Sequence, residues 1–285
     1  MIVNSNSIQG WKIHHQEHLM YRANAGSPTI RLKFFHYPNY RQTVHLHKTP
    51  SQCKLKSKWM NVYFLYQQKV NTKGVIPLDR SVSVFPITSS VSLDSDWGKI
   101  TEIPQLLKDK YHESSKYWPV KSPTILNLKD EDWFRTDDLS KWIKLAYRYI
   151  RTKIKHLESQ DERLGAYQAI LTAIGDCDEF TDLFITLARI RGIPSRRLTG
   201  YYILKQGELP EAHAWGEIFS PEIGWITTDV ALNNIGSHTK NYIILKIEEF
   251  NHDLPDYQVQ TKHSTTVHYE WQRSKPVITP IYNES

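Results

Sequence analysis

Gly175-Asp176-Cys177-Asp178-Glu179-Phe180-Thr181-Asp182-Leu183-Phe184-Ile185-Thr186-Leu187-Ala188-Arg189-Ile190-Arg191-Gly192-Ile193-Pro194 is the stretch on which the reading of this 285-residue chain turns. Phe180, Leu183, Phe184, Leu187, Ala188 and Ile190 recur at intervals of three and four, which predicts an amphipathic helix over residues 178–191. Gly192 and Pro194 stop it. Cys177 then falls at the first turn, where unpaired backbone N–H groups and the positive dipole end favour a thiolate. The same N–H groups could hold an oxyanion formed at an attacked carbonyl.

Working outward, residues 196–204, 212–219 and 225–230 read as strands, the second with His213 and Trp215 on one face, the third opened by Gly224. Antiparallel neighbours would set His213 beside Asp229, both facing the helix start. Cys177, His213 and Asp229 are the residue types that a thiol nucleophile, its base and the orienter of that base require. Each also has a plain structural reading: a buried small thiol, a packed strand histidine and a turn-forming aspartate. Trp215 and Trp225 read as core and wall aromatics, and Arg189, Arg191, Arg196 and Arg197 as ion-pair and carbonyl partners rather than an anion site.

The pattern resembles the transglutaminase-like superfamily, whose fold is similar to that of papain-like cysteine proteases. The resemblance is carried by Gly-Asp-Cys177 opening a helix, by Arg189-x-x-Gly192-Ile193-Pro194-x-Arg196 with Gly200-Tyr201 following, by His213-Ala214-Trp215, and by Gly224-Trp225 before Asp229, from about Ala166 to Val230. Where many members carry Pro after the aspartate, Val230 stands here. The resemblance implies an α+β fold with the Cys177 helix packed on an antiparallel sheet, Cys177 as nucleophile, His213 as general base and acid, and Asp229 as the carboxylate that fixes the imidazole tautomer. Attack by water on the resulting thioester would make a peptidase or amidase, the preferred reading; attack by a primary amine would make a true transglutaminase. A catalytically inert binding module is the alternative from another class.

The rest of the chain sets bounds. Residues 28–37, 42–47, 58–66 and 82–87 show β-branched and aromatic runs or alternation, so residues 1–98 are expected to form a β-rich module and residues 99–285 the transglutaminase-like domain. A short helix is expected at 101–111, an extended exposed stretch at 117–128, and helices from Thr136 to Ile154 and over 164–173. Strands at 242–247 and 265–271, joined by a polar link at 251–260, are expected to complete the sheet.

Charge is uneven: residues 1–110 hold 15 Lys and Arg against 6 Asp and Glu, the remainder 21 against 24. The basic front half could meet an acidic partner, but Lys48, Lys54, Lys56 and Lys58 alternate as a solvated strand face would, and no nucleic-acid motif accompanies them. Only Cys53 and Cys177 are present, which argues against a disulfide framework and a cysteine-based zinc site. The thirteen histidines show no ligand spacing, so no metal and no cofactor are expected. No apolar run approaches a membrane span and no signal or transit pattern opens the chain, so a cytoplasmic protein with a peptide or protein substrate is expected. Nothing in the sequence names the substrate-binding residues. Trp142, on the helix before the Cys177 helix, reads as core, with an indole donor near the site as the lesser option.

Overall fold

The computed structural model describes residues 8–157, 162–204, 211–250, 257–262 and 266–282. Its centre is a five-stranded antiparallel sheet in the order Asn234–Ile235, Gly224–Asp229, Glu211–Ser220, Ser195–Tyr202, Tyr242–Glu248. The helix Cys177–Arg191 packs across it, with Leu183, Phe184, Leu187 and Ala188 buried. Behind that helix lie Leu139–Lys153, whose stripe of Leu139, Trp142, Ile143, Ala146 and Ile150 is fully buried, and the shorter Ala166–Thr172. Asp138, the last residue of Thr136-Asp137-Asp138, caps the longer one by accepting from the Lys141 N–H at 2.9 Å. The α+β expectation therefore matches the observed architecture.

Two ties fix the limits of the Cys177 helix. A two-residue parallel ladder pairs Lys155 with Ile174 and His156 with Gly175, joining the end of Leu139–Lys153 to the residues just before the Cys177 helix. At the other end Gly192 adopts φ +85°, a left-handed cap that a side chain would strain. Pro194 follows, and the chain enters the sheet.

Two expectations are corrected. Residues 117–128 are not exposed and extended throughout: Trp118, Val120 and Ile125 are buried, and Pro123–Leu126 forms a helical turn, while Lys121, Pro123, Thr124 and Asn127 stay exposed. Apolar side chains there outweigh the extended bias of the prolines. The strand Val267–Arg273, which covers most of the expected 265–271, does not join the central sheet. It pairs with Glu17–Ala23, while Tyr257–Lys262 pairs with Thr29–His36 and Val277–Tyr282 with Ile8–His15. Each return strand thus covers an edge of an N-terminal sheet, and strand pairing crosses the expected boundary at residue 98. Residues 251–256 of the expected polar link, and residue 265, lie outside the described residues.

The N-terminal part holds two four-stranded sheets and one three-stranded sheet, all antiparallel. Its exposed strand Cys53–Lys58 carries the alternating lysines on solvent. This part also closes the free edge of the central sheet. Gln42 accepts from the Ile244 N–H at 2.9 Å and donates to its carbonyl at 2.7 Å; Asn61 does the same for Ile247, at 2.8 and 2.7 Å. Two side-chain amides thus stand in for a sixth strand. Among the described residues no helix is long and apolar enough to cross a membrane.

Candidate active site

Asp176 is the N-cap of the Cys177 helix, its carboxylate accepting from the Asp178 N–H at 2.8 Å, and Glu179 completes a capping box by accepting from the Asp176 N–H at 3.1 Å. Glu179 is wholly buried and also accepts from the N–H of Leu164 at 2.8 Å and of Gly165 at 3.4 Å. Burial raises its pKa against the pull of those backbone donors. One carboxylate therefore fixes both the helix start and the segment leading to it. The cap also takes the Asp178 and Glu179 N–H groups, which leaves the Cys177 amide as the first-turn donor not committed to it.

One turn on, Thr181 Oγ1 donates to the Ala214 carbonyl at 3.1 Å, locking the helix to the strand that carries His213. His213 pairs in register with Gly200, and the Cβ of any other residue at 200 would meet the Ile243 carbonyl oxygen at 1.9 Å. The close approach of three strands at this point demands a glycine. Asp229 lies on the other neighbouring strand, one register step beyond the pair Gly216 and Thr228.

The structure brings Cys177, His213 and Asp229 together. His213 Nε2 lies 2.7 Å from Asp229 Oδ2, and His213 is also hydrogen-bonded to Cys177. Burial opposes the charged imidazole, but the hydrogen bonds to Asp229 and Cys177, with their charges, raise its pKa to about 10. Asp229 is completely buried and fully engaged: Oδ1 accepts from the Leu232 N–H at 3.0 Å and Oδ2 also accepts from Tyr242 Oη at 2.9 Å. Tyr242 in turn accepts from Asn234 Nδ2 at 2.9 Å. The His213 ring stacks on buried Trp215 at 6.0 Å and 18°. These contacts hold the ring in place on two sides.

Three further placements bear on the sequence reading. Trp142 sits in the helical core against Phe134 and Phe184, so it is packing. The arginines are structural partners as expected: Arg196 pairs with Glu217 at 2.8 Å, and Arg189 donates to the Ser195 carbonyl at 2.7 Å. Sequence reasoning missed Tyr242 and Glu179. Tyr242 opens an expected strand, yet only the strand order shows that its hydroxyl reaches Asp229.

Residues 130–230 match the family model of the transglutaminase-like superfamily. A crystal structure of a candidate cysteine protease from Cytophaga hutchinsonii aligns with TM-score 0.60 over 96% of this chain and 94% of that one, at 16% identity. Residues 130–230 thus resemble a transglutaminase-like domain. The match of the transglutaminase-like domain spans the Cys177 helix, His213 and Asp229, and the likeness to the Cytophaga structure extends the shared fold through the β-rich part. Over 68 aligned positions the chain is 37% identical to YebA of Bacillus subtilis (strain 168), an uncharacterized protein; this is 20% of the chain and 9% of YebA. The periplasmic domain of TgpA from Pseudomonas aeruginosa aligns more loosely, with TM-score 0.39 and 14% identity over 80% of this chain and 89% of that one.

Proposed function

We propose that the protein catalyses cysteine-dependent acyl transfer at peptide or carboxamide bonds, with Cys177 as nucleophile, His213 as base and acid, and Asp229 as orienter. The observation that carries this is the imidazole of His213 hydrogen-bonded at once to a buried, fully engaged carboxylate and to a thiol at a helix N-terminus. A structural histidine needs no such alignment. The proton moves from Cys177 to His213, and the thiolate adds to the carbonyl carbon while the Cys177 N–H holds the oxygen. As the C–N bond breaks, His213 hands its proton to the departing amine, leaving a thioester. Water, deprotonated by His213, then releases the acid and restores the thiol. Hydrolysis is the favoured outcome, on a protein or peptide substrate, in the cytoplasm, whose reducing milieu keeps the thiol usable.

The test is the pH dependence of iodoacetamide alkylation at Cys177, with Cys53 as internal reference. Burial pushes the Cys53 thiol up to about 11, so it reports an unactivated cysteine. Cys177 is expected to react well below the free-thiol pKa of about 8.5 and to lose this in His213→Ala. An accessible Cys177 that ignores His213 overturns the reading. Mass spectrometry of glutamine-containing and ordinary peptides, with and without added amine, then identifies the acceptor; amine-dependent mass gain replaces hydrolysis by transamidation.

A further inference from the structure

The Sγ atom of Cys177 and carboxylate oxygens of Asp176 and Asp178 all lie within 4.8 Å of one another. Two carboxylates beside a nucleophilic thiol oppose its ionisation, since like charge disfavours the charged form. His213 answers from the sheet side, and the carboxylate of Asp176 is engaged by the backbone donors of the helix start. Asp178 is answered differently. Its side chain, 28% exposed, forms an ion pair with Arg197, whose guanidinium is 3% exposed and rises from the strand Ser195–Tyr202.

The partners of Arg197 are arranged unequally. It also meets Asp182 at 3.4 Å and Glu248 at 3.1 Å, but both of these share Arg163, at 2.7 and 3.3 Å. Among the described residues Arg197 is the one cation in direct ion-pair contact with Asp178; Arg163 and Lys246 act on it from farther away. Removing Arg197 would therefore leave Asp182 and Glu248 with a cation and leave Asp178 without a contacting one, next to the thiol. Arg196, one residue earlier, faces the other side of the sheet and serves Glu217.

We infer that Arg197 is a positioning residue for the nucleophile: by holding the Asp178 carboxylate it cancels the charge that would otherwise oppose the Cys177 thiolate. This rests on the reading of Cys177 as a nucleophile. It goes beyond that reading in assigning the ion pair a task in thiol ionisation as well as in stability.

The experiment is the alkylation profile of Cys177 against pH in the full chain, for wild type, Arg197→Met, Asp178→Asn and the double variant, with Cys53 as reference. Arg197→Met is expected to move the Cys177 profile up by about one pH unit, a roughly tenfold slower reaction on the acidic limb. Asp178→Asn is expected to lie at or below wild type, and the double variant to return to the position of Asp178→Asn. A folded Arg197→Met protein with an unmoved profile, or a double variant that stays with Arg197→Met, overturns the proposal. If Arg197→Met does not fold by circular dichroism, Arg197→Lys takes its place, because a point ammonium cannot reproduce the three-way contact of the guanidinium. It should shift the profile upward by a smaller amount that Asp178→Asn abolishes; no shift, or one that persists, counts against the proposal. The reading of Cys177 as a nucleophile fails by a different result, a wild-type profile unchanged by His213→Ala.

Discussion

Tyr242 gives its hydroxyl hydrogen to the same Asp229 oxygen that faces His213, and so takes up part of the negative charge that would otherwise bind the imidazolium proton. Replacing it with Phe removes one donor from a buried carboxylate, a loss of about 1–3 kcal/mol in stability by the usual scale of such groups. The carboxylate then attracts the His213 proton more strongly. The expected result for Tyr242→Phe is lower kcat, with the alkaline limb of the pH profile, set in wild type by a His213 pKa of about 10, moved upward. Lower kcat with an unmoved limb would reduce Tyr242 to packing. In wild type the same proton supports the fold: imidazole in the unfolded chain titrates near 6.5, so the contribution is complete below that pH and fades as pH rises toward about 10. Urea midpoints that fall between pH 7 and 10, and fall less in His213→Ala, would show it. Cys177, His213 and Asp229 were legible in the sequence because each sits in a local pattern of its own, helix start or strand face. Tyr242 and Arg197 were not, because their partners are fixed by strand order and register, which span dozens of residues.

At the scale of elements, the start of the Cys177 helix depends on Glu179, whose carboxylate meets three backbone N–H groups from two segments. Glu179→Ala would orphan these donors inside the protein and should cost about 3–5 kcal/mol, taking each buried unsatisfied donor at roughly 1–3 kcal/mol with part of the loss relieved by water. Urea unfolding measures the loss; a change under about 1 kcal/mol would mean the helix start is held by packing alone. Gly175 reinforces this, since a Cβ there would meet the Glu179 Cβ at 2.4 Å. The helices themselves were readable from apolar spacing, and their observed limits, Leu139–Lys153 and Cys177–Arg191, follow the capping residues. Of the return strands, Val267–Arg273 was readable as a strand but not as to partner, Tyr257–Lys262 overlaps the stretch expected as a polar link, and Val277–Tyr282 carried no expectation. Their burial is shallow, and Val267–Arg273 is largely exposed, so no run of core residues marked which sheet they join.

At the scale of the whole molecule, three histidines among the described residues are buried and neutral. Burial lowers His15 and His238 to about 4 and His36 to about 3, with the Arg80 charge adding to the effect on His15 and His36 and Arg41 to that on His238. As pH falls below 6.5 the unfolded chain takes up these protons and the folded one does not. Each therefore withdraws about 1.4 kcal/mol per pH unit until its folded pKa is reached. Three together approach about 4 kcal/mol per unit, against a total stability of roughly 5–15 kcal/mol. Unfolding followed by tryptophan fluorescence should set in between pH 6 and 4; a urea midpoint that stays flat from pH 6.5 to 5 would refute this.

The two amides that border the central sheet, Gln42 and Asn61, turn what could be a sticky margin into a finished hem. A chain cut at residue 98 would keep Cys177, His213 and Asp229 but bare the backbone of Ile244 and Ile247, and such open margins recruit further copies. The front part is thus a fitted garment for the central sheet and its helices, stitched to it by side-chain amides.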